Sequence, residues 1–169
     1  MKFIVKLFPE ITIKSKPVRK RFIQRLQSNL QVTLKRLDND IKVRGLWDKV
    51  EVEVPSEDAE LREQVIDLMS RTPGILHFLE VVQHPLGDFD NVFQITKAAY
   101  ADKIKGKTFV VRIKRSGKHE FKSGDLERYV GGGLLQHCDT AGVDLHNPDI
   151  KVKMEIREQD LFMISHKHP

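Results

Sequence analysis

The stretch Val50-Glu51-Val52-Glu53-Val54-Pro55-Ser56-Glu57-Asp58 changes periodicity midway. Valine at every second position, with glutamate between, has the period of a half-buried strand and places Glu51 and Glu53 together on an outer, solvated edge. Pro55 breaks the strand. Ser56 then offers a helix cap, with Glu57 and Asp58 at the positive end of the helix dipole. Leu61, Val65, Leu68 and Met69 follow at helical spacing, and Thr72-Pro73-Gly74 stops the helix. Ile75 to Val82 is the next strand. Upstream, Ile41 and Val43 begin a strand that turns through Gly45 to Lys49. Before it, Ser15 caps a helix with Pro17 in its first turn, which runs to about Leu37 and buries Val18, Phe22, Leu26, Leu30, Leu34 and Leu37. Residues 2–8 make the first strand, with Phe3, Val5 and Leu7 on one face. The resulting order, β-α-β-β-α-β, is the ferredoxin-like split βαβ pattern over residues 1–83.

His84-Pro85-Leu86-Gly87 reads as a linker into a second domain, residues 84–169. Asp88 to Ile104 is predicted to be a helix with Phe89, Val92, Phe93, Ala99, Tyr100 and Ile104 inward, ended by Gly106. Thr108 to Ile113 is a continuous apolar strand, which implies burial on both faces. Lys114 to Ser123 is a basic loop, Asp125 to about Cys138 a helix, and Asn147-Pro148-Asp149 a turn. Ile150, Val152, Met154 and Ile156 alternate with polar residues as a strand, and Leu161 to Ile164 is the last one. Ser165 to Pro169 has no capping element and reads as a loose tail. The fold class is mixed, α+β followed by α/β.

With 29 Lys and Arg against 24 Asp and Glu, the formal net charge is +5 and the pI about 9.3. A basic balance favours polyanionic partners such as nucleic acid or an anionic membrane. The single cysteine, Cys138, rules out an internal disulfide framework and fits a reducing, cytoplasmic setting; it reads as a small apolar residue. The apolar run after Met1 is too short for a signal peptide. No stretch approaches the ~20 apolar residues of a membrane span, so no membrane role is expected.

Eight cations, Lys103, Lys105, Lys107, Arg112, Lys114, Arg115, Lys118 and Lys122, lie between residues 103 and 122 and face only Glu120, with His119 and Phe121 interleaved. Cations along a strand end and loop suit the phosphates of a single strand, and a ring supplies a stacking face for an unpaired base. A solvated basic loop is the alternative. In Glu127-Arg128-Tyr129-Val130-Gly131-Gly132-Gly133-Leu134, three helical glycines cost about 1 kcal/mol each relative to alanine. Either an anion approaching the bare backbone or tight packing would offset that cost. The run is neither a P-loop nor a dinucleotide fingerprint. Lys14, Lys16, Arg19, Lys20, Arg21 and Arg25 give the first helix a polar face without an acid, either solvated or a secondary RNA contact. None of the seven histidines completes a metal motif, and no nucleophile elbow or nucleotide loop is present, so no metal, cofactor or catalytic residue is expected within these residues.

The opening Met1 to Ser15 (MKFIVKLFPEITIKS) resembles the start of the bacterial tRNA 4-thiouridine synthetases, or tRNA sulfurtransferases. So do Val111 to Phe121 (VRIKRSGKHEF), Glu127 to Leu134 (ERYVGGGL) and Asn147-Pro148-Asp149, in that order. The resemblance implies an N-terminal ferredoxin-like domain and then a THUMP domain that holds the single-stranded 3′ CCA end of tRNA and places the acceptor stem. It assigns Lys114, Arg115, Lys118, His119, Phe121, Lys122, Arg128, Gly131, Gly132 and Gly133 to the RNA surface. Lysine and arginine would bind phosphates. Phe121 would stack on a base or sit in the core, and Arg128 would contact phosphate or pair with Asp125. The family's adenylating domain, with its Ser-Gly-Gly-x-Asp-Ser loop, has no counterpart in this sequence. ATP, a cysteine desulfurase as sulfur donor and a link to thiamine thiazole synthesis are thus implied only for a full-length protein, and these residues alone are expected to be inactive. A homodimer is compatible with the resemblance. The competing readings are a THUMP module of another tRNA enzyme and a ferredoxin-like interaction protein that binds no RNA.

Overall fold

The structure, a computed structural model, describes residues 1–169 and divides into two compact units: Met1–Val82 with Ser165–Pro169, and Gln83–Ile164. The first unit begins with strand β1 (Lys2–Leu7), a short helix α1 (Pro9–Thr12) and the long helix α2 (Lys16–Lys35). Strands β2 (Lys42–Gly45) and β3 (Lys49–Glu53), helix α3 (Ala59–Ser70) and strand β4 (Ile75–Pro85) follow. The strands lie in the order β2-β3-β1-β4, each antiparallel to its neighbour, with Phe3 opposite Val52 and Val5 opposite Val50 and Phe78. This is the ferredoxin-like order expected from the sequence, with α1 added. α1 opens on Pro9, whose missing N–H is no loss in a first turn.

The core of this unit packs Phe3, Val5, Val50, Val52 and Phe78 against α2 and α3. In α2 the buried stripe is Ile23, Leu26, Leu30 and Leu34. Val18 is exposed, Phe22 and Leu37 are half-buried, and Ile23 rather than Phe22 begins the stripe. Ser15 precedes α2 without making a side-chain cap. Asp58, not Ser56, caps α3 by accepting the Leu61 amide at 3.2 Å, while Ser56 accepts the Asp58 amide. The solvated edge expected at Glu51 is not there: β3 lies between β2 and β1, and Glu51 is only 4% exposed. Its carboxylate accepts from Arg44 at 2.9 Å, the partner that makes burial of a charge tolerable.

The second unit contains α4 (Phe89–Tyr100), β5 (Thr108–Ser116), α5 (Ser123–His137), β6 (Gly142–Val143), β7 (Ile150–Arg157) and β8 (Asp160–His168). The strand order is β8-β7-β5-β6, with β5 parallel to β6 and β7, and β7 antiparallel to β8. Val92, Phe93, Thr96 and Tyr100 are the buried face of α4; Ala99 points outward, and Ile104 lies buried just past the helix. Phe109, Val110 and Val111 are buried in succession, as the continuous apolar run implies. His84 to Gly87 is not a free linker. Leu86 is buried, its amide donates to the Gln159 carbonyl at 2.8 Å, and its carbonyl accepts from Asn91. Gly87 has φ 62°, and a Cβ there would come 2.7 Å from Asn91 Nδ2, so glycine is required.

The predicted loose tail is strand. β8 continues through His168, and its last residues belong to the first unit. Ser165 donates to the Glu80 carbonyl at 3.0 Å, and the His168 ring stacks on Phe78 at 4.9 Å.

Candidate nucleic-acid interface

β5 carries the basic sequence further than expected, since Lys114, Arg115 and Ser116 are strand residues before the chain turns at Gly117. Gly117 has φ 97°, and a Cβ on it would lie 2.5 Å from a Glu158 carboxylate oxygen, so only glycine fits. Arg115 donates to the Gly117 carbonyl at 3.2 Å and to His119 Nδ1 at 3.0 Å. A guanidinium can only donate, so Nδ1 accepts and Nε2 carries the hydrogen that it gives to the Glu158 carbonyl at 2.7 Å. His119 is therefore a strut between Arg115 and the Glu158 carbonyl that holds the loop. Phe121 is half-buried, edge-on to Phe89 at 5.1 Å and 5.2 Å from the His119 ring. Phe121 packs at the margin of the apolar cluster of this unit and keeps part of its ring open to solvent.

Lys114, Lys118 and Lys122 stand apart from this scaffold. All three are exposed, and their ammonium groups make no hydrogen bond or ion pair. Lys122 starts α5 through its backbone, its amide donating to Asp125 at 3.1 Å while its side chain stays free. Arg128, also exposed, pairs with Asp125 at 2.7 Å. An exposed pair of this kind contributes roughly 0–1 kcal/mol, so a phosphate can compete for the guanidinium.

The three glycines of α5 differ. A Cβ on Gly133 would lie 2.6 Å from the Phe93 ring, so this glycine exists to let α4 approach. A Cβ on Gly131 would be 3.9 Å from Val111, an ordinary contact with the sheet. At Gly132 nothing lies within 4 Å, and the residue is exposed. One turn earlier on that face are Arg128 and Tyr129, and Tyr129 is 45% exposed with its ring edge on Phe89 at 5.5 Å. The solvent face of α5 thus offers bare backbone beside a guanidinium and an aromatic ring. The sequence does not single out Tyr129, because its helical spacing alone suits a core position as well as a surface one.

Two of the motifs serve structure. Glu127 accepts the Ile113 amide at 3.1 Å on a strand whose pairing with β6 covers only Thr108 and Phe109. Asp149 and Thr108 exchange hydrogen bonds of 3.1 and 2.9 Å, which tie the Asn147-Pro148-Asp149 turn to the start of β5. The amides of Asn147 and His146 hold the Asp144 carboxyl below its ordinary range. Cys138 is half-buried against the apolar cluster of this unit.

An exposed cationic strand end leading into a glycine-rich helix, on an α/β unit that follows a ferredoxin-like one, defines a class of two-domain chain. Residues 2–78 match the ThiI ferredoxin-like domain, and residues 87–165 match the THUMP domain. It is 53% identical over its whole length to the tRNA sulfurtransferase of Pseudomonas aeruginosa (strain UCBPP-PA14) and 51% identical over 168 residues to that of Azotobacter vinelandii (strain DJ). It spans 35% of the length of these curated relatives, at their N-terminal part. Among solved structures, PH1313 from Pyrococcus horikoshii Ot3 superposes with a TM-score of 0.77 at 15% identity, covering 99% of this chain and 54% of that one. A 4-thiouridine synthetase solved as an RNA complex with bound ATP superposes with a TM-score of 0.72 at 20% identity, covering 99% and 41%. At these identities the likeness establishes the fold.

Proposed function

We propose that this chain is the tRNA-binding N-terminal region of a tRNA sulfurtransferase that makes 4-thiouridine, and that its THUMP domain captures the single-stranded 3′ CCA end. The observation that carries the reading is the set of exposed, unpartnered ammonium groups of Lys114, Lys118 and Lys122 around a loop braced by Arg115 and His119. Such a surface binds a phosphate backbone without reorganising, because the loop that presents it is already fixed. Tyr129 and the bare helix at Gly132 offer a stacking face and a close approach for an unpaired nucleotide. The names of the relatives and the RNA complex of the fold neighbour point the same way.

In the whole protein, ATP would activate the uridine oxygen and a persulfide, charged by a cysteine desulfurase, would deliver sulfur. Those steps would fall to the remaining length of such a protein, since this chain spans 35% of its curated relatives. What these residues would contribute is position, since a bound 3′ end fixes how far along the acceptor stem a uridine lies from it.

Binding of tRNA followed by fluorescence anisotropy across a salt series tests the reading. Affinity should fall steeply with salt, about 0.7–0.9 of a logarithmic unit per logarithmic unit of salt for each phosphate neutralised. Lys118→Ala should weaken binding and lower that slope by about one contact. An unchanged slope in that variant would remove Lys118 from the interface.

A further inference from the structure

The first unit has a concave surface of its own. A groove of about 530 Å³ lies between α2 and the turn that joins β2 to β3. That volume falls in the ~300–1,000 Å³ range of small-ligand sites. Its floor forms where Gly45 meets α2 so closely that a Cβ would sit 2.9 Å from Ile23 Cγ2. Gln27 pins the same strand by donating to the Val43 carbonyl at 3.1 Å. Lys16, Arg19 and Lys20 line one side and Trp47 the other, and no carboxylate lines it.

Trp47 is 68% exposed, although a ring of this size gains most from burial. The Arg19 guanidinium lies over it at 5.3 Å from the ring centre and also donates to the Thr12 carbonyl at 3.3 Å. α2 has no acid in its first turn, and its N-cap residue Ser15 makes no side-chain cap. Cations at this end of a helix oppose its dipole, so the arrangement works against helix stability and favours an incoming anion. The apolar stripe of α2 is spent on the core, which leaves no apolar helix face to enter a lipid surface.

We propose that this groove is a second RNA site, which takes an unpaired nucleotide with its base on Trp47 and its phosphates on Lys16, Arg19 and Lys20. A single aromatic face flanked by three cations reads stacking and charge but no base edge, so the site would accept any base. The inference rests on the proposed function for the class of ligand alone; its residues are disjoint from those of the THUMP unit.

Trp47 is the chain's one tryptophan, so its emission reports on the groove directly. The chain would be titrated with tRNA, with and without its CCA end, reading Trp47 emission and the anisotropy of labelled RNA together. The groove predicts quenching of Trp47 in step with binding for both RNAs. It also predicts at least about threefold weaker binding for Trp47→Ala, with Trp47→Phe close to wild type. Equal unfolding midpoints for the two variants exclude a folding defect. RNA binding with unchanged Trp47 emission and no loss in Trp47→Ala would overturn the groove and leave the CCA reading standing. Quenching by both RNAs without any preference for the CCA end would support the groove and sink that reading. A blue shift on anionic phospholipid vesicles with no response to RNA would overturn the groove in favour of a membrane surface.

Discussion

At the scale of single residues, the clearest contrast is between neighbouring glycines. Gly133 faces the buried Phe93 ring, which cannot swing away, so Gly133→Ala should destabilise by about 1–3 kcal/mol through overpacking. Gly132 faces open solvent, so Gly132→Ala should be neutral or stabilising by up to about 1 kcal/mol. Urea unfolding of the two variants checks this, and equal stabilities would mean that α4 does not need the close approach. If RNA approaches the helix at Gly132, that more stable variant should bind tRNA less well. The cost of three glycines in one helix was readable from the sequence. Its division into one packing glycine and one exposed glycine was not, because it depends on where α4 lies. The same is true of His119 and Phe121: their interleaving with cations resembles a stacking motif, while their actual partners, the Glu158 carbonyl and Phe89, come from distant parts of the chain.

At the scale of elements, strands and helices with strong periodicity could be read directly: β1, α2, β3, α3, β5 and β7 all fall where their apolar spacing puts them. What spacing could not supply was the environment of a polar side chain. The Glu51 alternation looks solvent-facing, yet the residue is buried, with its carboxylate paired to Arg44. The tail after Ile164 has no apolar pattern and is held as strand by partners far upstream. Glu80 is the centre of that arrangement. It takes two hydrogen bonds from Arg62, at 2.8 and 2.7 Å, which fasten β4 to α3, and His166 lies 3.3 Å from it. The Arg62 hydrogen bonds hold the Glu80 carboxyl below its ordinary range. A carboxyl whose folded pKa is depressed adds stability above its unfolded value, about 4.3, and that stability is lost as pH falls through the lower folded value. Glu80→Gln should therefore cost about 1–2 kcal/mol at pH 7, and the gap to wild type should close in acid below about pH 4. Parallel unfolding curves of constant separation from pH 7 to pH 3 would contradict this assignment.

At the scale of the whole molecule, a net charge of +5 is concentrated into particular surfaces rather than spread. Helix α2 carries cations and no acid, and the end of β5 with its connection to α5 presents the three unpartnered lysines Lys114, Lys118 and Lys122. Composition alone favours a polyanionic partner, and the resemblance carried by the four sequence motifs is what makes tRNA the proposed one. The measurement that decides most is the affinity of this chain for tRNA with its 3′ CCA end intact and with that end removed, at one moderate salt concentration. Capture of the end by the THUMP domain predicts a loss well beyond tenfold, or more than 1.4 kcal/mol, when CCA is absent, and Lys118→Ala should erode that difference. Equal affinity for the two RNAs would contradict it and reduce the basic loop to a general polyanion surface.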